Sequence, residues 1–141
     1  MSDMAYGYVT LGKSGDSIRD TTTSAMVTQP ASGDTVVLWD STYAGKGNVA
    51  MGYGSRYKQL VINNYSSAAS ATNGLSVEES NDGGTNWDVV ATYTIAATTY
   101  TKTYVAVSAP EVRVRYVNSA NALTAFRWSV LGDTLERNTG V

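Results

Sequence analysis

Two segments near the end of the chain put every second residue on the same side. In 111–117 (EVRVRYV), Val112, Val114 and Tyr116 alternate with Glu111, Arg113 and Arg115. In 123–131 (LTAFRWSVL), Phe126, Trp128 and Val130 share one side, and Arg127 and Ser129 take the other. A period of two turns one face toward a core and the other toward solvent or a partner, which is the pattern of a half-buried strand. Upstream, the run Val36, Val37, Leu38 and Trp39, then QLVINNY, LSVEES, WDVVATYTI and KTYVAV, are short, rich in Val, Ile, Thr and Tyr, and bounded by turn residues. No window carries a helical amphipathic period. Many short strands joined by turns predict an all-β chain: a single antiparallel β-sandwich, jelly-roll-like in character. No repeat at solenoid or propeller period is present.

The chain has 141 residues, enough for one domain with one core. Residues 1–34 differ from the rest: they are rich in Gly, Ser, Thr and Asp, and their apolar residues keep no sustained period. They read as an extended N-terminal arm, or a frayed terminus, with one short strand near 25–28. The sandwich proper is expected over 35–141. Removing residues 2–20 is then expected to leave the sandwich folded. The first ten residues lack a basic start followed by an apolar stretch, and no apolar run approaches the ~20 residues of a membrane span. A soluble chain with no membrane partner is expected.

The chain contains neither cysteine nor histidine. Disulfides, thiolate metal sites, Ser-His-Asp and Cys-His catalysis and the ordinary neutral-pH general base are thereby excluded. Only 16% of residues are charged and the formal net charge is −2, against about 25% charged residues in average domains. A sequence pI near 4.9 argues against nucleic acid as a partner, since phosphate binding needs a dense Lys/Arg stripe. A weakly charged surface of Thr, Ser, Asn and Tyr can be covered by a partner without desolvating many ions.

Several motifs resemble chemistry. Residues 7–14 (GYVTLGKS) match the phosphate-loop expression G-x-x-x-x-G-K-[ST]. That loop needs a buried strand before it and a helix after it, and GDSIRDTTTS is poor in helix formers, so the match is fortuitous. Glu78 and Glu79 are adjacent in a strand and point to opposite faces, so they cannot form the acid pair of a glycosidase, whose carboxyls lie about 5–9.5 Å apart. Asp16, Asp20, Asp34 and Asp40 lie in or near turns without a D-x-D-x-D-G series, so solvated turns are expected in place of a calcium site. No cofactor, metal or catalytic residue is assigned, and the chain is expected not to be an enzyme.

Residues 80–87 (SNDGGTNW) resemble the Asp-box, S-x-D-x-G-x-T-W, with Asn86 in place of the usual Thr. The expected mechanics are local: Asp82 accepts backbone N–H bonds across the turn, the glycines take positive φ, and Trp87 packs on the hairpin base. Among ten tyrosines, Tyr43, Tyr53 and Tyr57 flank the Gly-rich stretch 44–54 and are the expected partner contacts. Arg113 and Arg115, on an outward face, either pair with Glu78, Glu79 or Glu111 across the sheet or contact an acidic partner.

Residues 109–131 (APEVRVRYVNSANALTAFRWSVL) resemble a segment recurrent in structural proteins of tailed phages. With 74–95 (GLSVEESNDGGTNWDVVATYTI), the likeness covers roughly 74–131. The resemblance implies a jelly-roll or sandwich module of the virion, of the capsid decoration (cement) type. Such a protein is made in the host cytoplasm and sits on the capsid surface. It implies the major capsid protein as partner, a homotrimer as the oligomer, and no catalytic residues. The arm and the Gly-rich loop would face the shell. The alternatives are a phage tail or fibre component and a carbohydrate-binding β-sandwich module.

Overall fold

The computed structural model describes residues 8–42 and 57–133. Among these, the β-favouring runs form ten strands: β1 (Tyr8–Lys13), β2 (Ile18–Asp20), β3 (Met26–Val27), β4 (Thr35–Asp40), β5 (Gln59–Ser66), β6 (Ser70–Ser80), β7 (Asp88–Tyr93), β8 (Thr101–Ala106), β9 (Glu111–Asn118) and β10 (Phe126–Asp133). No helix occurs among the described residues. The strands make a four-stranded sheet in the order β1-β10-β5-β8 and a six-stranded sheet in the order β3-β2-β4-β9-β6-β7. Every pairing is antiparallel. The two sheets form the expected β-sandwich.

The period of two seen in the sequence is what fills the space between the sheets. Val112, Val114 and Tyr116 from β9 meet Phe126, Trp128 and Val130 from β10, joined by Leu60 and Ile62, Leu75 and Val77, and Val105. Tyr116 and Phe126 touch edge to face, with ring centroids 5.0 Å apart. The unalternating run in β4 has its own cause. The register slips between Val37 and Trp39, so Leu38 and Trp39 both turn inward. Val37 lies on the other side, in the cross-strand row between Arg19 and Arg115. Aliphatic stems of arginine cover such a position while the guanidinium stays at the surface.

The division at residue 34 requires correction, because residues 8–34 are not an arm. β1 is hydrogen-bonded along β10, β2 along β4, and Leu11 and Ile18 are core residues. The short strand expected near 25–28 is β3, paired with β2. The segment looked aperiodic because β2 has only three residues and β1 carries a register shift between Thr10 and Gly12. Removing 2–20 would therefore take an edge strand and two core residues, contrary to the expectation of a separable arm. β1 is also followed by a turn and β2, with no helix for a phosphate loop.

Candidate functional site

The outer face of the six-stranded sheet carries ion pairs. Glu78, itself buried, accepts from Arg113 Nε at 2.6 Å and from Arg115 at 3.1 Å, while Arg19 reaches Asp40 at 3.1 Å. Arg113 also lies 4.3 Å from the Trp87 ring centroid, held between an indole and a carboxylate. The two arginines named as partner contacts are thus engaged in the cross-strand pairing that was the alternative. Tyr43 and Tyr53 lie outside the described residues. Tyr57 requires correction as a direct partner contact: it is 2% exposed and belongs to the core. Its ring fills the space that a side chain at position 132 would need, since a Cβ on Gly132 would fall 2.6 Å from Tyr57 Cδ1.

The 80–87 hairpin tip is a self-contained turn. Ser80 Oγ accepts the Gly84 N–H and donates to Asp82 Oδ1, which in turn accepts the Asn86 N–H at 2.9 Å. Asn86, the departure from the Asp-box pattern, adds a side-chain bond to Asp82 Oδ2 at 2.7 Å. Gly83 and Gly84 take φ of 75° and 92°, as the turn requires. Hydrogen bonds from the Asn86 backbone and side chain, then from Ser80, pull the Asp82 carboxyl down to about 2. Three other turn carboxylates are spent similarly: Asp16 on the Lys13 N–H, Asp20 on Thr22 and Thr23, and Asp40 on Thr42 and Arg19. Among the described residues no group of three or more carboxylates could hold a metal ion.

The outer face of the four-stranded sheet is built differently. Register aligns Lys13, Ser129, Asn63 and Lys102 in one row across β1, β10, β5 and β8. The next row sets Arg127 beside Tyr65, and the row on the other side sets Leu131, Val61 and Tyr104 together. Asn63 is the hub. Its Oδ1 accepts from Tyr100 Oη at 3.0 Å and Lys102 Nζ at 2.8 Å, and its Nδ2 donates to Ser129 Oγ at 2.9 Å. The Arg127 guanidinium lies 4.1 Å from the Tyr65 ring centroid, and Lys102 Nζ lies 5.6 Å from that of Tyr100. Ser14, Asn63, Tyr65, Tyr100, Arg127 and Ser129, with Trp128 beneath, enclose an open trough of about 200 Å³. Tyr100 and Tyr104 are 61% and 53% exposed, far more than strand tyrosines that serve only as packing.

Sequence reasoning did not single out this trough. Arg127 and Ser129 were legible as outward residues of one strand, but nothing local shows that β10 lies between β1 and β5. The signal that could have found it is the outward polar and aromatic set of three strands (Asn63 and Tyr65, Lys102 and Tyr104, Arg127 and Ser129), read together.

Comparison with known proteins places this architecture. The exported protein XepA of PBSX superposes with a TM-score of 0.57 at 18% identity, covering 94% of this chain and 50% of XepA, so the chain spans about half of that protein's length. A family 29 carbohydrate-binding module matches at TM-score 0.49 and 12% identity, over 93% of this chain and 90% of the module. A family 29 module from Piromyces equi matches at 0.48 and 9%, over 97% and 98%. No curated protein matches the sequence significantly. Residues 20–131, well over half of the chain, match the family described as the uncharacterised protein YqxG N-terminal domain. The chain belongs to that family.

Proposed function

We propose that this chain is a non-catalytic binding module, of phage origin, that takes a carbohydrate chain across the outer face of its four-stranded sheet. The observation that carries the proposal is the trough around Asn63, where the exposed Tyr100 ring and the half-buried Tyr65 ring flank a side-chain amide already oriented by three neighbours. A pyranose ring offers a flat C–H face and a rim of hydroxyls. Tyr100 supplies apolar surface for the first, and Lys102, Ser129 and Arg127, which is held on the Tyr65 ring, supply hydrogen-bonding groups for the second. At about 200 Å³ the trough is smaller than the ~300–1,000 Å³ clefts of enclosed small-molecule sites. A shallow platform suits one stretch of a polymer lying along the sheet. The phage origin is supported by the resemblance of 74–131 to tailed-phage structural proteins and by the fold shared with XepA of PBSX.

The test is mobility in native gels containing soluble polysaccharides, followed by titration calorimetry on any that retard the protein. Tyr65→Ala and Tyr100→Ala are expected to weaken binding by about five- to tenfold each, the loss of about 1 kcal/mol of aromatic contact, with Arg127 at Tyr65 and with the sugar at Tyr100. Unchanged affinity in both variants would remove the trough as the site.

A second reading, capsid decoration, is favoured by a separate feature. β7 is the edge strand of the six-stranded sheet and exposes Val89 (59%) and Val90 (42%). An edge with free backbone groups and exposed valines suits strand addition or packing against the major capsid protein or a second copy, as in a homotrimer. Co-sedimentation with undecorated capsids, compared between the protein and Val89→Lys, decides it. Saturable binding lost in the variant supports decoration, and the absence of binding removes it.

A further inference from the structure

The two outer faces of the sandwich use their cations in opposite ways. On the six-stranded sheet, Arg19, Arg113 and Arg115 are each ion-paired, with Asp40 or Glu78. On the four-stranded sheet, Lys13, Lys102 and Arg127 stand in two adjacent cross-strand rows, and none has an ion-pair partner among the described residues. Lys102 spends one of its three donors on Asn63, and Arg127 stacks on Tyr65 with no hydrogen bond from its guanidinium to the described residues. Among the described residues, neither Asp16 nor Asp133 forms an ion pair with them. Asp16, in the turn after β1, accepts the Lys13 main-chain N–H. Asp133 lies four residues along β10 from Ser129, about 13 Å away. In a chain of net charge −2, three cations with no ion-pair partner among the described residues, gathered at one aromatic trough, make a local positive field.

We infer that the ligand of this face is an acidic polysaccharide, whose carboxylate or phosphate groups are received by Lys13, Lys102 and Arg127 while its sugar or polyol backbone lies over Tyr100. The inference rests on the carbohydrate-binding proposal above and narrows its ligand class. Donor-only groups outnumber acceptor-only groups on the face: two ammonium groups and one guanidinium stand against a single amide oxygen that already accepts two bonds, while the Ser and Tyr hydroxyls serve either way. A neutral glycan presents hydroxyls, which accept from these cations without supplying an opposite charge. An anionic one presents oxygens that only accept. The stacking of Arg127 on Tyr65 fixes the guanidinium plane beside the trough, so a planar carboxylate or a phosphate meets a preoriented fork.

The deciding experiment titrates the full chain with polygalacturonate, poly(glycerol phosphate), neutral gluco- and manno-oligosaccharides, and single-stranded oligonucleotide. Affinity is measured at about 0.05 M and about 0.5 M salt, over which surface charge interactions are strongly screened. Expected is binding at least tenfold tighter to one of the two acidic polymers than to the neutral sugars. It should weaken at the higher salt and fall about tenfold in the double variant Lys102→Gln/Arg127→Gln, whose unchanged melting temperature verifies folding. The two acidic polymers distinguish a carboxylate ligand from a phosphate one. Tighter binding of neutral sugars, unaffected by the double variant, would overturn the acidic ligand while leaving the carbohydrate module standing. Binding to no polysaccharide would overturn both. Oligonucleotide bound as tightly as the acidic polymers would replace the polysaccharide with nucleic acid.

Discussion

Tyr57 and Gly132 show how a residue's role is set by a neighbour remote in sequence. Tyr57 lies beside a Gly-rich stretch and reads as an exposed anchor, yet its ring occupies the volume above Gly132, 75 positions later. Nothing around Tyr57 encodes that partner. Gly132→Ala is expected to destabilise the fold by about 1–3 kcal/mol, because the added methyl meets three atoms of a buried ring that has no open side to move toward. Chemical denaturation measures it, and a loss below about 0.5 kcal/mol would show that the ring can retreat. Glu78 is the polar counterpart. Its replacement by Ala strands two guanidinium groups, and a loss of about 2 kcal/mol is expected. This is below the ~3–5 kcal/mol of a fully buried pair because both arginines keep partial access to water. The same denaturation assay checks it, and Arg113→Ala is expected to cost less, since Glu78 retains Arg115.

At the scale of single elements, what was legible followed from chemistry confined to a few consecutive residues. β9 and β10 announce themselves by alternation, and the 80–87 turn by its Ser, Asp and Gly spacing. Over 126–130 of β10, the alternation read from the sequence matches the inward and outward residues of the strand. β1 and β2 were not legible as sheet members, because a register shift and a three-residue length erase the period that would reveal them. The turn makes its own pH statement. Asp82 is depressed to about 2 from the ordinary carboxylate value near 3.9 by bonds to Asn86 and Ser80. A depressed carboxylate contributes stability that is complete above its unfolded value and lost as pH falls through its folded one. The hairpin is therefore expected to hold at pH 4 and loosen between about pH 4 and 2. Side-chain carboxyl shifts followed by NMR across that range should give Asp82 a midpoint near 2, and a midpoint near 4 would show that the turn bonds do not favour the ionised form. Asp82→Asn is expected to flatten this part of the acid stability curve.

For the whole molecule, the strand order was the part the sequence withheld. Strands pair here with partners chosen by the closing of two sheets around one core, and the outward trough exists only because β10 falls between β1 and β5. Pairing of this kind depends on summed burial over many residues and leaves no local mark. It also reassigns the N-terminal segment from appendage to structure. Removal of residues 1–13 is expected to expose the inward side of β10, where Gly12 sits against the Trp128 ring, and to lower the melting temperature by roughly 10 °C or more. A thermal scan of the truncated protein checks it, and an unchanged midpoint would return β1 to the status of a detachable arm.

The order of the strands also bears on how the chain comes to be folded at all. In each sheet an interior position is filled by one of the two described strands latest in the chain: β9 between β4 and β6, and β10 between β1 and β5. A ribosome adds about 5–20 residues per second, so β4 and β6 emerge several seconds before the strand that joins them. During that interval their backbone edges and valines are open to any neighbour, including the same segments of another nascent chain. The Ser14–Trp128 bonds, which span 114 positions, can form only after the end of β10 has left the exit tunnel. This places the chain among slow, late-committing folders. Its yield in a cell should depend on holdase chaperones guarding β4 and β6 through that gap, more than on any property of the finished sandwich.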